Sequence, residues 1–113
     1  MDAPRPEAGE HWVLPSMMLE LARLFGPIQS ELGRHEPWLA RQFEARLASA
    51  DRCLRVDPYV GAASWDLRRR AAVRSLMDLR ASLERAVNAG YVASSWPKAL
   101  TRLDQVITTL RRA

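Results

Sequence analysis

Between Leu39 and Leu54 the apolar residues keep one beat: Leu39, Phe43, Leu47, Ala50 and Leu54 stand four, four, three and four residues apart. An α-helix, with about 3.6 residues per turn, lines such positions up on one side; a strand would split them between its two faces. Arg41, Glu44, Arg52 and Arg55 fall mostly off that side. The segment is therefore an amphipathic helix that needs an apolar partner.

Three other runs offer one. Ser16 supplies an N-cap ahead of Met17, Leu19, Leu21, Leu24, Phe25, Ile28 and Leu32, and Gly26-Pro27 predicts a kink rather than a stop. Gly33 to Pro37 reads as a turn, a glycine cap followed by a proline suited to a first helical turn. Asp57-Pro58 ends the second helix. A third begins at about Ser64, carries the stripe Ala72, Leu76, Leu79, Leu83 and Val87, and closes on Gly90. Ser95 and Pro97 open a fourth, with Leu100, Leu103, Ile107 and Leu110 on one face. The loops are short, so the expected fold is all-α: an antiparallel, up-down-up-down four-helix bundle over residues 16–113. Residues 1–15, with three prolines and a glycine, read as an N-terminal tail.

Composition agrees. The chain has 113 residues, the size of one domain, and 48% of them are hydrophobic, mostly Leu and Ala. Cys53 is the single cysteine, so no internal disulfide forms and a reducing compartment is expected. The N-terminus lacks a basic-then-apolar signal pattern, and no apolar run approaches the roughly 20 residues that span a bilayer. The expected setting is the bacterial cytoplasm.

Residues for chemistry are sparse. His11 and His35 stand at no metal-ligand spacing from each other or from Cys53. The inward Glu-x-x-His motifs of bundle di-iron sites are missing, as are phosphate-binding and nucleophile-elbow motifs. The expectation is a binding protein without catalytic residues, metal or cofactor.

Charge is the informative feature. Lys and Arg number 17 against 13 Asp and Glu, a formal net charge of +4, and Lys98 is the only lysine. Arg5 against Asp2, Glu7 and Glu10 leaves the tail at −2 and the rest of the chain at +6. Arg46, Arg52 and Arg55 lie along the second helix, and Arg68, Arg69, Arg70 and Arg74 open the third. Antiparallel packing brings these groups together. Arg52 and Arg55 suit a helix C-terminus, whereas the triplet sits near an N-terminal end, where carboxylates are favoured. Three consecutive residues span about 200° of a helix, so one of the triplet must turn inward or toward a partner. A cluster held against the dipole suggests an anionic ligand; a solvated face balanced by Asp57 and Asp66 is the plainer reading. Trp38, Trp65 and Trp96 each stand at a helix start, with Trp12 in the tail. They read as end-packing staples or as anchors in an interface.

The run Arg70 to Val92, RAAVRSLMDLRASLERAVNAGYV, resembles the third helix and turn of a bacterial four-helix bundle family through Ser75, Leu76, Asp78-Leu79, Leu83, Ala86 and Gly90-Tyr91. That family comprises proteins encoded by intervening sequences of 23S ribosomal RNA genes and the accessory variability determinants of diversity-generating retroelements. Upstream, LARLFGPIQSELGRHEPWLARQFEARL resembles the first helix, turn and second helix of the accessory branch. Gln42-Phe43 and Ser49 fall where the ribosomal-intervening branch has Gln-Leu and Ser. Two features depart: Cys53 to Asp57 replaces that branch's Asn-Ile-Ala-Glu-Gly run, and the Gly-Gly-Trp ending common in accessory proteins is absent. The resemblance implies a homopentamer of bundles arranged as a barrel and, in the accessory branch, a basic surface that binds nucleic acid and a reverse transcriptase.

Two functions are therefore expected. In the first, a homo-oligomeric bundle contacts RNA or DNA phosphates through Arg46, Arg52, Arg55, Arg68, Arg69, Arg70 and Arg74, as an accessory factor in a nucleoprotein complex. The alternative is a protein–protein adaptor whose arginines pair with carboxylates.

Overall fold

The computed structural model describes the backbone of residues 5–55, 62–93 and 96–112, and the side chains of residues 16–55, 64–93 and 96–112. These residues form four helices and no strand: α1 (Arg5–Gly33), α2 (Pro37–Leu54), α3 (Ala62–Asn88) and α4 (Trp96–Arg112). Helix α1 packs on α2 and α4, and α3 also packs on α2 and α4. No helix among the described residues is long and apolar enough to cross a membrane.

The predicted stripes line the core. Phe43, Leu47, Ala50 and Leu54 of α2 are buried, as are Ala72, Leu76, Leu79 and Leu83 of α3 and Leu103, Ile107 and Leu110 of α4. Leu39, Val87 and Leu100 pack half-buried at the margins. Phe25 of α1 meets Phe43 edge-on, ring centroids 6.0 Å apart at 65°, an arrangement that aromatic quadrupoles favour.

Helix α1 differs from expectation in two ways. It begins at Arg5 rather than at Ser16, so Ser16 lies inside it and residues 5–15 are helical. Gly26-Pro27 does not stop it, as expected: helical backbone continues through both residues. Its buried face is Met18, Leu21, Phe25, Ile28 and Leu32, while Leu19 stays 57% exposed. Counting back three from Leu21 on a continuous helix reaches Met18; Leu19, two residues away, is about 200° around the axis.

The ends follow local rules. Pro37 occupies the first turn of α2, where its missing N–H costs nothing. At the other end of α3, Gly90 adopts φ +80°. Tyr91 N–H reaches the Ala86 carbonyl and Gly90 N–H the Val87 carbonyl, both at 3.0 Å, the paired bonds of a Schellman cap. Gly33 works otherwise: it ends α1 without positive φ, and the turn closes through Glu36 N–H to the Leu32 carbonyl at 2.8 Å. Ser95, read as the cap of α4, lies outside the described residues, as does Asp57-Pro58.

Candidate functional site

The arginine triplet resolves into three different jobs. Helix α3 starts at Ala62, so Arg68 to Arg70 stand about two turns inside it, beyond the turn in which the N-terminal dipole acts. The expected conflict with the dipole is therefore absent. Arg68 Nη1 donates to the Arg55 carbonyl, just past the end of α2, at 3.2 Å. Arg69 Nη1 donates to the Leu110 carbonyl in the last turn of α4 at 3.1 Å. Both cations thus sit at the negative C-terminal ends of neighbouring helices, where carbonyls lack helical partners.

Arg69 is the one that turns inward, with a side chain only 16% exposed, and it also hydrogen-bonds Asp66. Arg70, 70% exposed, reaches the other oxygen of Asp66 at 3.0 Å. The hydrogen bond from Arg69, reinforced by the charges of Arg70 and Arg69, holds the Asp66 carboxyl below its ordinary range despite partial burial.

The remaining predicted residues divide between paired and unpaired. Arg46 on α2 bridges to Asp78 on α3 at 3.2 Å, while its Nε is buried without a hydrogen-bond partner. Arg55 pairs with Asp51 at 3.3 Å, one turn back on α2. Arg52 and Arg74 are exposed, and neither has an ion pair among the described residues. They lie on adjacent helices that the Arg46–Asp78 and Arg68–Arg55 contacts hold side by side. Arg41, one further exposed cation on α2 without an ionic partner among the described residues, extends the same surface.

Sequence reading missed the charges that tie the other seams. Arg102 of α4 places Nη2 2.6 Å from both oxygens of Glu20 on α1. Arg80 of α3 reaches Asp104 of α4 at 2.6 Å and also pairs with Glu84. The Asp104 hydrogen bond and charge raise the Arg80 pKa still further. Only the Arg80–Glu84 spacing of four carried a signal in the sequence. A groove of about 660 Å³ beside the Glu20–Arg102 pair is lined by Leu24, Pro97, Lys98, Thr101 and Gln105, and its arginine is already committed. Among the described residues no three His, Cys, Asp or Glu side chains gather as a metal site. His35 stacks on Tyr91, centroids 5.5 Å apart, and Cys53 is half-buried against the core.

The tryptophans part company. Trp65 and Trp96 pack half-buried on the core, as staples do, whereas Trp38 is 52% exposed. Trp12 lies outside the described side chains.

No protein-family model matches the chain, and neither curated proteins nor solved structures yield a significant match.

Proposed function

We propose that this chain is a non-enzymatic, homo-oligomeric bundle whose α2–α3 face binds nucleic-acid phosphates. The observation that carries the reading is the pair Arg52 and Arg74, exposed on neighbouring helices without ionic partners among the described residues, in a chain of net charge +4. Arg46, Arg55, Arg68 and Arg70 flank them and, with five N–H donors each, keep donors to spare beyond their single carboxylate or carbonyl contacts. Arg69 contributes least, being turned inward. Contacts of this kind read charge rather than base sequence.

The cross-helix pairs Arg46–Asp78, Arg80–Asp104 and Glu20–Arg102 support an up-down-up-down order with antiparallel neighbours. A pentameric barrel and a reverse transcriptase as partner rest on the family resemblance alone.

A protein–protein adaptor is the second reading. It is favoured by Leu67 and Met77 on α3, 67% and 45% exposed, and by the ion pairs that already engage Arg55 and Arg70. Light scattering coupled to size exclusion, with and without a mixed-sequence RNA, separates the two. An oligomer that takes up RNA at low salt and releases it at high salt supports nucleic-acid binding. An oligomer that ignores RNA at every salt concentration leaves the adaptor.

A further inference from the structure

Trp38 is the one tryptophan among the described side chains that packing does not account for. It opens α2, as Trp65 lies in the first turn of α3 and Trp96 opens α4. Those two rings fold against the core; Trp38 leaves half its surface in water. Its indole is nevertheless anchored, because Nε1–H donates to Glu36 Oε2 at 2.7 Å. That bond uses the ring's edge and occupies neither π-face. No other ring contacts Trp38 among the described residues.

Two arginines flank the ring along the chain. Arg34 precedes it in the α1–α2 turn, and Arg41 follows one turn along α2; both are exposed without ionic partners among the described residues. Farther along the exposed side of α2 come Ala45 and then Arg52. Among the nearby carboxylates, Glu36 accepts from the indole, Glu31 accepts from the Ala93 N–H at 2.9 Å, and Glu44 lies on the α1 side of α2 with Met18 and Ala22. An anchored, half-exposed indole followed by spaced arginines is what a single-stranded nucleic acid needs. Phosphates meet the guanidinium groups, and an unstacked base finds an aromatic face. A duplex keeps its base faces stacked inside, so it gains from the arginines alone.

We propose that the exposed side of α2 binds single-stranded nucleic acid, with a base stacked on Trp38 and phosphates on Arg34, Arg41 and Arg52. This rests on the nucleic-acid reading above and narrows it from nucleic acid in general to single strands.

The test measures fluorescence anisotropy of the full chain with a labelled 20-mer oligo(dT) and a mixed-sequence 20-base-pair duplex. Wild type, W38A and W38F are compared, with light scattering on each variant. Circular dichroism checks the fold, which an exposed position should preserve. The expected result is tighter binding of the single strand by wild type and about a tenfold loss in W38A, the effect of losing one base–aromatic stack. W38F recovers most of that loss, and W38A leaves the duplex affinity unchanged. Equal binding of the single strand by W38A and wild type overturns this proposal while leaving phosphate binding intact. A changed oligomeric state in W38A with unchanged single-strand affinity assigns the ring to a subunit contact and also overturns it. If wild type binds neither probe, the nucleic-acid reading itself fails.

Discussion

Arg69 and Arg70 share one carboxylate, and their different exposures predict very different consequences of removal. Arg69→Met keeps the apolar stem but deletes two charge-assisted hydrogen bonds, to the Leu110 carbonyl and to Asp66. With its side chain 16% exposed, little water is available to replace them. Hydrogen bonds to charged groups contribute about 1.5–3 kcal/mol, and helix-end carbonyls recover part of that from solvent. The net loss should be about 2–3 kcal/mol. Arg70→Met deletes an ion pair whose arginine is 70% exposed, a class that contributes about 0–1 kcal/mol. Urea unfolding followed by helical circular dichroism, at one protein concentration, reads the contrast. At a slope of about 1.5 kcal/mol/M the midpoint falls by roughly 1.3–2 M in Arg69→Met and by less than about 0.7 M in Arg70→Met. Equal shifts in the two variants would refute the inward role of Arg69.

The Asp66 carboxylate and the Gly90 turn each carry a further expectation. Asp66 titrates below its ordinary range in the folded chain, so its contribution is present above the unfolded carboxylate pKa and is lost as pH falls through the folded value. Urea midpoints of wild type and Asp66→Asn should therefore differ at pH 7, and the gap should narrow as pH falls below about 4; a gap of the same size at pH 7 and pH 3 would contradict it. Gly90 stands at φ +80°, a conformation that side chains with a Cβ disfavour, so Gly90→Ala should lower stability by about 1 kcal/mol, and a thermal melt of the variant checks it.

The faces of α2, α3 and α4 were legible because their apolar residues are spaced widely enough to permit one register. In α1 they crowd: Met17, Met18, Leu19 and Leu21 allow more than one stripe, and only packing such as Phe25 on Phe43 selects the buried face. Ser82 joins the core although it is polar, and its hydroxyl accepts a hydrogen bond from Arg85 at 3.3 Å. An apolar stripe cannot announce it. The triplet was half legible. Helix geometry required one arginine to turn inward, but the Leu110 carbonyl lies 41 residues away along the chain. Which arginine found it is a tertiary fact. The three helix-start tryptophans look alike in sequence, yet only Trp38 falls on an outward face.

If arginines on α2 and α3 contact phosphates, the salt dependence of RNA affinity must report it. Wild type is compared with Arg52→Gln/Arg74→Gln and with Arg102→Gln/Arg112→Gln, which removes the same charge from α4. Each phosphate contact contributes about 0.7–0.9 to the slope of log affinity against log salt. The slope should be shallower by about 1.5 in the first variant and close to wild type in the second. Equal slopes in all three proteins would contradict it.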